Sequence, residues 1–232
     1  MFMKKIKFII LALSILVVAL PMSVYATPTY EGFLTGSGGL YATDGWASEE
    51  TNLSWKVYAP TNPENTSGFW LYKYTFTVPT KNISHMIFEV SDSFSENNIK
   101  EGSDYPVLDI YSSTSQGNSN PYMPGEFQGI KWGPGELTLS ATLVTDKNPV
   151  WGDFYAKDGK DQGVLVYAYN KGFTADDVDP TDAPSNGSIN NHVLAPDTGT
   201  PPIPEPGTLL LIGFGLVGIA GYSKFALARK KR

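Results

Sequence analysis

The sequence predicts an all-β protein, an antiparallel β-sandwich with a jelly roll as the alternative, set between two apolar terminal segments. Short apolar runs with period-two alternation recur along residues 27–203, and Gly, Pro, Asn and Asp separate them. No convincing amphipathic helix lies between these runs, which favours antiparallel pairing over parallel βαβ units. No internal repeat period supports a propeller or a solenoid.

Two segments carry the strand pattern most clearly. In residues 53–59 every second residue is apolar, which predicts a half-buried strand. The longest predicted strand covers residues 69–78 and places Trp70, Tyr72 and Tyr74 on one face, where we expect them in the core. Further strands are predicted, in chain order, at residues 84–90, 107–111, 137–144, 150–156 and 164–169, with a shorter piece at 189–194.

The N-terminal segment has the pattern of a secretory signal peptide. Lysines precede an apolar run over residues 8–20, and Val24-Tyr25-Ala26 supplies a small-x-small cleavage pattern before Thr27. At about 1.5 Å per residue, this run is too short for a hydrocarbon core of about 30 Å. We therefore expect export through the secretion translocon and cleavage by signal peptidase between Ala26 and Thr27.

The C-terminal segment predicts a transmembrane helix. Residues 208–222 are apolar and Gly-rich, and Lys224 can snorkel, so the predicted helix extends over residues 208–227. The positive-inside rule keeps the basic cluster that follows in the cytoplasm as a stop and places the preceding domain outside. This cluster consists of Arg229, Lys230, Lys231 and Arg232.

A Pro-Glu-Pro peptide, Pro204, Glu205 and Pro206, stands directly before that helix. Because prolines lack the backbone N–H and disfavour helical neighbours, the peptide is expected to be extended and accessible at the membrane surface. The order of Pro-Glu-Pro, Gly-rich apolar helix and basic end over residues 203–232 resembles the PEP-CTERM sorting signal. In that family, an exosortase, an integral-membrane transpeptidase-like enzyme, recognises the motif. Many members have Val where this chain has Ile203.

The resemblance implies an exosortase partner and a specific route. The chain is expected to pause as a single-pass inner-membrane protein with a cytoplasmic C-terminus, and then to reach the cell surface or an exopolysaccharide matrix. Residues 149–159, 168–173 and 184–189 are also similar to stretches of other proteins bearing this signal, which share no agreed activity. Residues 195–199 contain the Pro-x-Thr-Gly part of a cell-wall sortase signal, but Ala195 stands where that signal has Leu.

The domain organisation follows from these segments. Residues 27–174 are predicted to form the extracytoplasmic β-sandwich. Several prolines within residues 175–202 predict a stiff, exposed tether, from which residues 189–194 could return to the sheet as a last strand. The sorting signal occupies residues 203–232.

Charge and composition limit the partners. Residues 27–203 contain nine Lys, no Arg and 22 Asp or Glu, a net charge of −13, so nucleic acids and anionic lipids would be repelled. The chain has no Cys, which excludes disulfides, thiolate metal sites and cysteine nucleophiles. No cofactor is predicted, and a structural calcium ion is the alternative left open. Its ligands would come from Asp153, Asp158 and Asp161, or from Asp176, Asp177 and Asp179.

The sequence predicts a non-enzymatic module that is structural or binds glycans. His85 and His192 are the two histidines, no Gly-x-Ser-x-Gly motif occurs, and both imidazoles are interpreted as structural. One alternative is a surface-tethered carbohydrate-active enzyme with a carboxylate pair drawn from Glu89, Asp109, Glu126, Asp153 and Asp158. Another is a permanently anchored protein. The sugar-stacking candidates are Trp46, Trp132 and Trp151.

Overall fold

The computed structural model describes residues 29–114, 119–158, 164–176 and 178–197. These residues form an all-β domain with short 3₁₀ turns at Asp44–Trp46 and Glu96–Asn98. The strands are β1 (Thr29–Thr35), β2 (Leu40–Ala42), β3 (Asn52–Tyr58), β4 (Trp70–Thr77), β5 (Ile83–Glu89), β6 (Val107–Tyr111), β7 (Phe127–Trp132), β8 (Thr138–Thr145), β9 (Asn148–Gly152), β10 (Phe154–Asp158), β11 (Tyr167–Asn170) and β12 (Val193–Asp197).

The strands form two main sheets and one small one. The first main sheet has four strands in the order β1-β3-β4-β8, and the second has six in the order β2-β11-β10-β5-β7-β6. The small sheet pairs β9 with β12. The strands pair antiparallel throughout these sheets, which confirms the predicted all-β antiparallel class.

The two main sheets pack face to face around an aromatic core. On β4, Tyr72, Tyr74 and Phe76 are fully buried, as the period-two pattern predicts. The ring of Tyr74 stacks on that of Phe88 in β5 with 3.8 Å between centroids, and Phe76 lies 5.1 Å from Phe154 in β10. Such aromatic pairs join the sheets across the sandwich interior.

The small sheet closes the sandwich and extends the domain. Val193 and Leu194 of β12 are buried in the main core, and the hydroxyl of Tyr74 donates a 2.9 Å hydrogen bond to the Leu194 carbonyl. β12 thus returns to the core at Val193–Asp197, overlapping the last strand that the sequence left open at residues 189–194. The described residues between β11 and β12 are largely exposed, and this segment touches the first main sheet where the Gly187 N–H donates to the Glu31 carbonyl.

The outer face of the six-stranded sheet carries a second apolar cluster. Ile87 of β5 and Tyr155 of β10 are fully buried there beneath Met123 and Phe173. The loop that supplies Met123 is fixed to the sheet by the Tyr155 hydroxyl, which donates to the Pro121 carbonyl at 2.8 Å. This covering layer determines which aromatic rings on that face reach solvent.

The predicted terminal segments lie outside the described residues. They include the signal-peptide bond Ala26–Thr27, the Pro-Glu-Pro peptide, the predicted transmembrane helix at residues 208–227 and the basic cluster. Within the described ranges, no helix has the length and apolarity needed to cross a membrane.

Candidate functional site

The three tryptophans predicted to stack on sugars lie in the interior. Trp46, Trp132 and Trp151 are only 0%, 5% and 1% exposed. The indole N–H of Trp46 donates to the Thr80 carbonyl, and that of Trp132 donates to the Asp104 carbonyl, each at 2.7 Å. The structure therefore corrects the sequence-based choice, because rings in these positions have no face available to a sugar.

Four tyrosines on the outer face of the six-stranded sheet form an exposed aromatic row instead, here called the tyrosine strip: Tyr41, Tyr122, Tyr167 and Tyr169. Tyr41 of β2 lies directly opposite Tyr169 of β11, and their rings stack at 4.9 Å. Tyr167 and Tyr169 alternate with the buried Ala168, so they share one face with nearly parallel rings, 6.3 Å apart. Tyr122 stacks on Tyr167 at 5.2 Å.

The two ends of the tyrosine strip are open to solvent. Tyr41 is 42% exposed and Tyr122 is 66% exposed, while Tyr167 and Tyr169 are half-buried. Tyr122 has a φ of 59°, a left-handed conformation that bulky residues rarely adopt. The fold thus places a large aromatic side chain on the strip at a cost in backbone energy.

The phenol groups of Tyr167 and Tyr169 stay protonated at neutral pH. Desolvation, reinforced by the neighbouring Tyr41, raises the pKa of Tyr167 to about 12. Burial likewise raises the pKa of Tyr169. These two residues therefore offer neutral aromatic rings together with hydroxyl groups that can donate or accept hydrogen bonds.

A second group of functional side chains lies where β9 ends and β10 begins. The Nε2 atom of His192 is 3.6 Å from Asp153 Oδ1 and 3.6 Å from Asp179 Oδ1. These donor atoms all lie within 4.8 Å of one another. Asp153 and His192 are buried, and the Asp179 side chain is 33% exposed. We call these residues the Asp–His cluster.

Neighbouring groups hold Asp153 in place. The side-chain amide of Asn170 donates to Asp153 Oδ1 at 2.6 Å, and its oxygen accepts a 2.7 Å bond from the Phe154 N–H. The backbone N–H of Asp153 donates to Glu89 Oε2 at 2.8 Å. The carboxylate of Asp153 is thus held by β11 and its backbone by β5.

A tight turn sets the position of His192. Asn190 and Asn191 have φ values of 48° and 65°, and the His192 N–H bonds the Ile189 carbonyl at 2.8 Å. Two consecutive left-handed residues closed by such a bond make a type I′ turn, to which Asn is well suited. A Cβ on Gly172 would lie within 2.5 Å of the imidazole, so glycine leaves the ring its space.

The remaining predicted carboxylates do not join this cluster. Asp109 and Glu126 are exposed at the surface. Asp158 is buried, and its carboxylate accepts a 3.2 Å bond from the Val166 N–H. Of the two predicted calcium-ligand groups, Asp153 from one and Asp179 from the other come together, and Asp161 and Asp177 lie outside the described residues.

His192, interpreted from sequence as purely structural, completes this arrangement. The sequence contains no spacing signal for the Asp–His cluster, because its residues come from three separate segments. The described part of the sortase-like peptide, residues 195–197, belongs to β12, where Ala195 is buried and pairs with Val150.

Comparison with known proteins identifies the C-terminal part. Residues 202–224 match the family model described as the PEP-CTERM protein-sorting motif. These residues contain the predicted recognition peptide Pro204, Glu205 and Pro206. No curated protein and no solved structure matches the chain. The chain therefore carries a PEP-CTERM protein-sorting motif at residues 202–224.

Proposed function

We propose that this protein is exported, sorted by an exosortase, and then binds a neutral polysaccharide of the cell surface or exopolysaccharide matrix through the tyrosine strip. The match to the sorting motif over residues 202–224 carries the proposal. It implies an exosortase as the processing partner and a surface destination. The polysaccharide is our assignment for the non-enzymatic β-sandwich.

The sequence supports a stepwise route to that destination. The signal peptide ending at Ala26 starts export, and the apolar residues 208–227 hold the chain in the membrane with Arg229–Arg232 in the cytoplasm. The exosortase then acts at Pro204, Glu205 and Pro206. In this scheme the folded domain stands on the side of the membrane where matrix polysaccharide accumulates.

The tyrosine strip supports a carbohydrate ligand. The apolar face of a sugar ring packs on aromatic rings, and its hydroxyl groups bond with phenol oxygens. Tyr41 and Tyr122 are the exposed ends of a row of stacked rings. Because residues 27–203 carry a net charge of −13, a neutral polysaccharide fits better than a polyanionic one.

The sorting step is tested on protein recovered from the native host. The mass and the C-terminal peptide are compared between a strain with the exosortase and one without it. We expect a form lacking residues 208–232 only where the exosortase is present. Alanine at Pro204, Glu205 and Pro206 together should abolish this form, whereas the control Ile203→Val should retain it. Persistence of the full tail in both strains would instead indicate a permanent anchor.

Polysaccharide binding is tested by affinity electrophoresis of the recovered protein in gels containing the neutral fraction of the host's exopolysaccharide. The double variant Tyr41→Ala/Tyr122→Ala should bind at least tenfold more weakly, which is a loss of about 1.4 kcal/mol. Tyr105→Ala is the matched control, since Tyr105 is 97% exposed and lies outside the strip. No retardation of the parent protein, or equal losses in both variants, would refute the assignment.

A further inference from the structure

Two carboxylates and one imidazole come together in the largely buried Asp–His cluster. The Nδ1 atom of His192 lies 3.3 Å from the Ile189 carbonyl, which can only accept, so this bond requires a proton on Nδ1. In the neutral ring, Nε2 then presents a lone pair towards two carboxylate oxygens. Together with the two carboxylate oxygens, this lone pair makes a set of three donor atoms of the kind that binds a divalent ion.

The donor atoms and their spacing match a zinc-type ion. Zinc ligands lie about 2.0–2.2 Å from the metal, so adjacent donors of a tetrahedral site are about 3.4 Å apart. Both Nε2–Oδ1 distances in the cluster are 3.6 Å. Imidazole suits zinc and similar transition metals, whereas calcium prefers oxygen ligands. We propose that Asp153, Asp179 and His192 bind a divalent transition-metal ion, with zinc as the representative.

The surroundings have the features that metal ligands require. The Ile189 carbonyl fixes the tautomer of His192 so that Nε2 faces the carboxylates, and the Asn170 amide orients Asp153. Gly172 leaves the space that the imidazole occupies. In metal sites, contacts of this kind orient the side chains that bind the metal directly and raise their basicity.

An acidic cleft leads to the cluster. Its volume is about 530 Å³, and Asp179 lines it together with Glu89, Asp92, Asp182 and Asp197. The carboxylates would attract a cation to this opening, and a water molecule from the cleft would supply the fourth ligand. Asp179 thus belongs both to the route of entry and to the site itself.

The metal would fasten the end of the domain to its centre. Asp153 lies between β9 and β10, Asp179 belongs to the segment after β11, and His192 directly precedes β12. Joining them holds residues 178–197 on the sandwich. In a chain without cysteine, a metal ion supplies a cross-link that a disulfide cannot.

The test uses the full-length protein in detergent, stripped with chelator and then titrated with Zn²⁺ or Ca²⁺. Metal content is measured by mass spectrometry, affinity by calorimetry, and Tm by circular dichroism. We expect one zinc-dependent increase in Tm and one bound zinc per chain. Asp179→Asn and His192→Gln should each weaken zinc binding at least tenfold. Asp182→Asn, in the same cleft but outside the cluster, should change it less than about twofold.

Each outcome decides the proposal. Absence of stoichiometric zinc, equal zinc affinity in Asp179→Asn and the parent, or binding of Ca²⁺ in place of Zn²⁺ would overturn it. If His192→Gln fails to fold, Asp179→Asn still decides the question, because its side chain is one-third exposed and the change preserves its shape.

Discussion

His85→Gln is expected to remove about 2 kcal/mol of the stability that the fold loses in acid. The imidazole lies in β5 with only 8% exposure, and its Nε2 is 2.9 Å from the side-chain oxygen of Asn120. An amide oxygen only accepts, so Nε2 carries a hydrogen and Nδ1 is left to accept from the Ser84 hydroxyl at 3.3 Å. Burial lowers the pKa of His85 from 6.5 to about 4, against the opposite effect of the Asn120 bond.

The direction of the effect follows from proton uptake. The unfolded chain, with a histidine pKa of about 6.5, binds the proton before the folded chain does. The contribution of neutral His85 is therefore complete above about pH 6.5 and is lost as the pH falls towards about 4. These two pKa values give a loss of about 2 kcal/mol in the free energy of unfolding between about pH 7.5 and about pH 5.

Urea unfolding of parent and variant at these two pH values measures the effect. Gln retains an N–H group that can donate to Asn120 but has no group that titrates in this range. Parent and variant share every carboxylate and His192. The difference between the free energies of unfolding that they lose on acidification therefore comes from His85 alone. We expect the parent to lose about 2 kcal/mol more than His85→Gln. Equal losses would refute the neutral, buried assignment of this imidazole.

Two further substitutions test the packing of the sandwich. In Gly32→Ala the new methyl group would overlap the ring of Trp55, so we expect a loss of about 1–3 kcal/mol by urea unfolding. Gly38→Ala meets its nearest neighbour at 3.3 Å and serves as the control, with a change within about 0.5 kcal/mol. Tyr74→Phe removes the buried hydrogen bond to β12 and should cost about 1 kcal/mol, with faster amide exchange in β12. Unchanged β12 exchange would mean that this bond does not hold the strand.

The strand pattern predicts the centre of the fold better than its edges. β3, β4, β5 and β8 form close to the predicted positions because their apolar residues face the core. β6 also forms at the predicted position, although Val107 and Ile110 are exposed. β1 and β7 were not predicted, since Gly32 and Gly129 interrupt their patterns. In the structure, Gly32 lets the Trp55 side chain approach its backbone, and Gly129 does the same for Ile87. The need for glycine at these positions becomes visible only once the strands are paired.

The predicted strand at residues 150–156 is two strands. β9 ends at Gly152 and pairs with β12, while β10 begins at Phe154 and pairs with β5 and β11. The alternation of apolar and polar residues along one segment does not show that the strand it pairs with changes in the middle of an apolar run. The residue between the two strands, Asp153, is the one that the Asp–His cluster uses.

The candidate sites depend on long-range placement. The prediction that Trp46, Trp132 and Trp151 are available for sugar stacking was wrong, because the sheet face that a strand presents to the core decides which of its side chains are buried. Tyr167 and Tyr169 lie on the outer face, and a loop that carries Tyr122 completes the row. The sequence identifies the Pro-Glu-Pro motif well, in contrast, because that signal is local and continuous.

The position of β12 sets the length of chain available to the processing enzyme. Only six residues separate Asp197, the end of β12, from Pro204. Even fully extended, this connection spans no more than about 25 Å. An exosortase that engages Pro204–Pro206 must therefore work beside the folded sandwich. If β12 stays paired, the size of the domain limits how deeply the peptide enters the enzyme. The pairing of β12 and the access of the enzyme to its peptide therefore depend on the same short connection.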